Sequence, residues 1–152
     1  MNNEQLVLIE SLITVAANQA GLTNPINNHG SFDGDGTVWS WRWMDAPDPI
    51  ISGVEVYVLP DEGGEGAEIK VRSASFDYED RSKSSSRLYW GRYIEYDDLL
   101  REEKMKDMVN EIKGGLSLAW QGLPQQVALL PELAEKERAF KDKLRNMGLL
   151  QE

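Results

Sequence analysis

The first side chains in this chain with the means to do chemistry are His29, Asp33 and Asp35. A histidine beside carboxylates can pass a proton at neutral pH, provided it reaches a reacting hydrogen and its pKa suits the task. His29 is the only imidazole and cysteine is absent. A Ser/His pair would therefore run through His29, and multi-histidine and thiolate zinc sites are excluded. The Asn-, Gly- and Asp-rich setting of His29 predicts a loop histidine, so a hydrolase using His29 with Asp33 or Asp35 is the weaker of the functional alternatives.

Two further polar runs have the right residue types and the wrong spacing. The run 31–36, Ser-Phe-Asp-Gly-Asp-Gly, has the look of a calcium loop, which needs oxygen ligands at its first, third and fifth positions and a bidentate Glu at its twelfth. Ser31 stands first and Arg42 twelfth. A cation there would face a cation, so the run predicts an Asp-Gly turn ahead of a strand. Asp61, Glu62, Glu65 and Glu68 sit among Gly63, Gly64 and Gly66. No Gly-Lys-Ser/Thr follows those glycines, and the acidic neighbours repel phosphate, so this is a charged turn and not a phosphate loop. No cofactor or metal is expected.

The residues suited to recognition lie in the middle of the chain. Trp39, Trp41 and Trp43 alternate with Ser40 and Arg42, the period of a strand with one buried face. The same alternation continues in three more segments. Residues 53–59 set Val54, Val56 and Val58 against Glu55 and Tyr57, and residues 67–77 set Ile69 and Val71 against Lys70 and Arg72. Residues 87–96 set Leu88, Trp90 and Ile94 against Tyr89 and Tyr93. Ser73 and Ser75 fall on the apolar side of the third segment, which predicts a bulge or bend near its end. With the indole and valine rows inside, the other face presents Arg42, Tyr57, Arg72, Tyr89 and Tyr93. Arg and Tyr join contact area to hydrogen-bonding tips, so these five residues are the expected partner-binding set.

The elements that must position them follow from period and punctuation. Residues 4–20 carry Leu6, Ile9, Leu12, Ile13 and Ala16 at helical spacing, closed by Gly21. Residues 23–36 read as irregular loop. After Asp97 the helical period returns through Met105, Met108, Val109, Ile112, Leu116, Ala119 and Trp120 to about residue 121, with Asp97 or Asp98 as cap. Gly114 and Gly115 imply a break or a close backbone contact. Pro124 and Pro131 can each open a further helix. The last helix, residues 131–147, has a narrow stripe of Leu133, Phe140, Leu144 and Met147 and could act as a peripheral docking element or a site of homo-oligomerisation. Connections between the strands are too short for parallel crossovers, so the expected fold is α+β: one helix, a four-stranded antiparallel meander, then two or three helices on one sheet face, all in a single domain over residues 1–152.

The chain of 152 residues carries 26 acids, 16 bases and a net charge of −10. That balance disfavours general nucleic-acid binding, which draws on clustered Lys and Arg, and favours a basic partner if a partner is charged. The apolar run 6–17 lacks a basic lead and is too short to span a bilayer, so a cytoplasmic, membrane-free protein is expected. The expected function is a non-catalytic interaction module: an adaptor, inhibitor or assembly factor binding another protein. The main alternative is a small-ligand or nucleotide-binding domain with a pocket lined by the Trp row.

Overall fold

The computed structural model describes residues 1–29 and 36–150. The first helix, α1 (Asn3–Gln19), starts on a reciprocal cap: Asn2 accepts from the Gln5 amide at 2.8 Å, and the Gln5 side chain accepts from the Asn2 amide at 3.0 Å. Gly21, at φ +82°, turns the chain out of it. Ile9, Ile13, Ala16 and Ala17 are the buried positions.

Five strands follow as an antiparallel meander in sequence order: β1 (Ile26–His29), β2 (Thr37–Arg42), β3 (Ile50–Pro60), β4 (Gly66–Asp77) and β5 (Ser84–Glu95). The four expected strands are present, and β1 adds a short edge within the segment read as loop. Four residues of mixed polarity carry too little period to announce a strand; pairing with β2, Ile26 opposite Ser40, makes it one. Tyr96–Leu100 then forms a 3-10 turn, α2 spans Glu102–Ala128 and α3 spans Leu130–Asn146.

Three details of the helices differ from expectation. Asp97 and Asp98 lie in the 3-10 turn, and the residue capping α2 is Arg101, whose side chain makes no capping bond. Pro124 opens no helix, because α2 runs through it with Leu123 fully buried beneath; Pro131 does stand in the first turn of α3. Gly114 and Gly115 do not break α2. A Cβ on Gly115 would lie 3.1 Å from Cβ of Trp90 and 3.4 Å from Cβ of Val71, so the bare backbone there is what lets α2 rest on β4 and β5.

Helices and sheet enclose one core. Trp39 and Trp41, 2% and 4% exposed, lie in it with Val54, Val56, Ile69 and Val71 from the sheet and Ile9, Ile13, Met108, Ile112 and Leu116 from α1 and α2. Trp43, one residue past β2, is half-buried against the same cluster and donates its amide to the Ser52 carbonyl at 2.8 Å. The indoles are thus structural: each buries a large area, although neither the Trp39 nor the Trp41 N–H meets an acceptor among the described residues. A cross-sheet row of Trp39, Val56, Val71 and Trp90 forms the ceiling on which α2 packs.

Candidate functional site

The face of the sheet away from the helices is assembled by register. Two cross-strand rows set its centre: Val38, Tyr57, Lys70 and Gly91, and beside it Ser40, Glu55, Arg72 and Leu88. Gly91 ends the first row without a side chain, and no helix residue covers these rows among the residues that line them. The result is a hollow of about 410 Å³ lined by Val38, Tyr57, Leu59, Lys70, Arg72 and Leu88, with Gly36, Thr37 and Ser86 at its margin.

Its floor is apolar and its wall cationic. Val38 and the Tyr57 ring are buried, while Leu88 is 59% exposed at the lip. The Arg72 guanidinium lies 4.0 Å from the centre of the Tyr57 ring, and its Nε donates to Glu55 Oε2 at 3.0 Å. This stack and ion pair fix the planar group flat on the ring, an arrangement open to arginine and not to lysine. Lys70 Nζ lies 3.1 Å from Glu68 Oε1, with both side chains substantially exposed.

A second, smaller hollow of about 200 Å³ occupies the other end of this face, lined in part by Arg42, Glu55, Ile51 and Phe76. Arg81 extends the face there, its guanidinium 4.9 Å from the Phe76 ring.

The expected partner-binding set divides under this geometry. Tyr57 and Arg72 meet in the larger hollow; Arg42 lies on the same face at its far end. Tyr93 is on this face too, but is occupied with holding the β3–β4 turn. Its ring lies over Gly66, where a Cβ would come within 2.7 Å of it, and its hydroxyl donates to Asp61 Oδ2 at 2.5 Å. That bond, with the nearby carboxylates, pushes the phenol up to about 12, and the same bond chiefly holds the Asp61 carboxyl below its usual 3.8.

Tyr89 is a correction. Val71 pairs with Trp90 and Arg72 with Leu88, so Tyr89 is the extra residue of a bulge in β5. Beyond the bulge the facing inverts. Tyr89 turns to the helix side, where it lines a cleft with Arg87, Gly122, Gln126 and Leu129, and Leu88, expected in the core, reaches the uncovered face. The irregularity inferred from Ser73 and Ser75 thus falls in the neighbouring strand. In β4 itself the alternation is unbroken: Ser73 and Ser75 are simply polar residues in core positions, Ser75 sharing a hydrogen bond of 2.8 Å with Ser52.

Sequence reasoning missed Val38, Leu59 and Leu88 as lining residues. The adjacent bulky pair Tyr89-Trp90 was the available signal for Leu88, since both rings can be buried only if the strand bulges. The His29 side chain, Asp33, Asp35 and most of the calcium-like run lie outside the described residues. Among the described residues no three His, Cys, Asp or Glu side chains cluster to hold a metal, and no helix is long and apolar enough to cross a membrane. No protein-family model, curated protein or solved structure matches this chain.

Proposed function

We propose that the protein is a non-catalytic interaction module, an adaptor, inhibitor or assembly factor, that receives a protein partner on the uncovered sheet face. The observation that carries this reading is the larger hollow: a buried apolar floor of Val38 and Tyr57, an exposed apolar lip at Leu88, and a stacked arginine in the wall. Apolar anchors entering concave sites beside aromatic and Arg side chains dominate the energetics of protein interfaces. Among the described residues the lining side chains are a phenol, two cations, hydroxyls and aliphatic groups, the types that recur in binding surfaces.

Cross-linking tests it. A photoreactive amino acid at Leu88 should capture a partner in the native host, whereas the same group at Leu118, equally exposed but on α2, should not. An identical capture pattern at both positions would remove the reading. Leu88 is the better probe than Tyr57, because Tyr57 is largely buried and its truncation would disturb the sheet as well as the contact.

The hollow also has the volume of a small-molecule cleft, which keeps a ligand-binding domain as the second reading. In that case the aromatic wall is Tyr57, because the three indoles are not among its lining residues.

A further inference from the structure

At the centre of the uncovered sheet face each cation is answered by an acid of the same face: Arg72 by Glu55 at 3.0 Å and Lys70 by Glu68 at 3.1 Å. The centre therefore selects neither sign of charge in what meets it, and shape is what it offers. Leu88 projects from the edge strand β5, 59% exposed, beside the concavity formed by Val38, Tyr57 and Leu59. An apolar projection and an apolar concavity on one face are the two halves of a self-complementary contact, because in a two-fold dimer residue i of one copy meets residue j of the other and j meets i. The size also fits. β3, β4 and β5 have 11, 12 and 12 residues. At about 3.3 Å per residue and 4.8 Å between strands, and with the shorter β1 and β2, the face offers roughly 700 Å² per copy, so a pair would bury about 1,400 Å², inside the range of about 1,200–2,000 Å² that stable interfaces need.

Resting on the docking role proposed above, we infer that the protein received by this face is a second copy of the chain. The two sheets meet face to face about a two-fold axis, and Leu88 of each copy enters between Val38, Tyr57 and Leu59 of the other. The pairs Arg72–Glu55 and Lys70–Glu68 enter the interface already made, which avoids the large cost of burying an unpaired charge. Each copy carries a net charge of −10, so the bodies repel one another at low salt, and that repulsion is screened over roughly 8–10 Å at physiological salt.

Sedimentation equilibrium of the purified full chain tests this. A dimer is expected at about 10–100 μM, and it should tighten as salt is raised. Leu88→Arg should weaken association at least about tenfold, whereas Leu118→Arg, equally exposed but on α2, should leave it unchanged. The packing is read by disulfide formation, since the chain has no cysteine of its own. Leu59→Cys mixed with Leu88→Cys should give a covalent heterodimer faster than either variant links to itself. A monomer at every concentration up to about 1 mM overturns the inference. So does a dimer left intact by a Leu88→Arg variant that melts like the parent, or self-linking of the Leu88→Cys variant as fast as the mixture. A monomeric chain whose position 88 still captures another protein in the native host keeps the docking reading and removes only the second copy; a monomer with no such capture removes both.

Discussion

Gly114 and Gly115 show how much neighbouring residues of one type can differ. Both lie in the interior of α2, where glycine costs about 1 kcal/mol relative to alanine. Gly114 faces open space and Gly115 faces Trp90 and Val71. Gly114→Ala should therefore raise the unfolding free energy by about 0.5–1 kcal/mol. Gly115→Leu should lower it by about 1–3 kcal/mol through overpacking, both seen as shifts of the urea midpoint. The Tyr93–Asp61 bond yields a second expectation. Tyr93 has its folded-state pKa raised from 10.0 to about 12, so its contribution is fully present below pH 10 and fades as pH climbs towards 12. Asp61 is lowered, so its contribution is present above 3.8 and is lost as pH falls below that value. Absorbance titration should show late-ionising tyrosine at the high end from Tyr93 and from Tyr96, whose phenol burial pushes up, and Asp61→Asn should return the Tyr93 share towards 10.0.

At the scale of elements, α1 and α2 begin differently. α1 opens on a reciprocal Asn2–Gln5 cap, whereas α2 opens at Arg101, in extended conformation at φ −98°, ψ 118° and with no side-chain acceptor for the first amides. Arg101 is exposed, so it can be changed without repacking. Arg101→Ser should stabilise the protein by about 1 kcal/mol by supplying the missing acceptor, and Arg101→Asp should match or exceed it by also meeting the positive end of the helix dipole. Thermal melts of the two variants check this. The bulge at Tyr89 is the other decision at this scale, since one extra residue in β5 moves Leu88 from the core side to the face away from the helices.

Across the whole molecule, stability is unevenly distributed. α2 lies over β3, β4 and β5 and contributes six buried residues, whereas α3 buries only Leu130 and Ala134, and Phe140 and Met147 are about 60% exposed. Among the described residues no side chain in the distal half of α3 is buried, and its ion pairs Lys141–Glu137 and Arg145–Asp142 lie within the helix. Its amides, from about residue 137 onward, should exchange with solvent far faster than those of α2 around Ile112 and Leu116, which are expected to open only on global unfolding. Uniform protection along both helices would contradict this picture. The stripe expected to dock or self-associate is therefore present as an exposed face.

The sequence by itself determined what period and punctuation encode: α1 and its Gly21 end, four strands, and the antiparallel meander forced by short connections. These are local or nearest-neighbour properties, because alternation sets a strand's buried face and a short loop permits only a hairpin. Only the tertiary structure decided which residues share the hollow. Tyr57, Lys70 and Leu88 come from three strands, and their meeting depends on register and on a bulge whose parity change propagates along β5. It likewise decided that β1 pairs, that Gly115 is a contact and Gly114 is not, and that in a strongly acidic chain Lys70 and Arg72, each paired to a glutamate, come to stand side by side on one sheet face. Composition sums over the chain, whereas a binding surface selects from it.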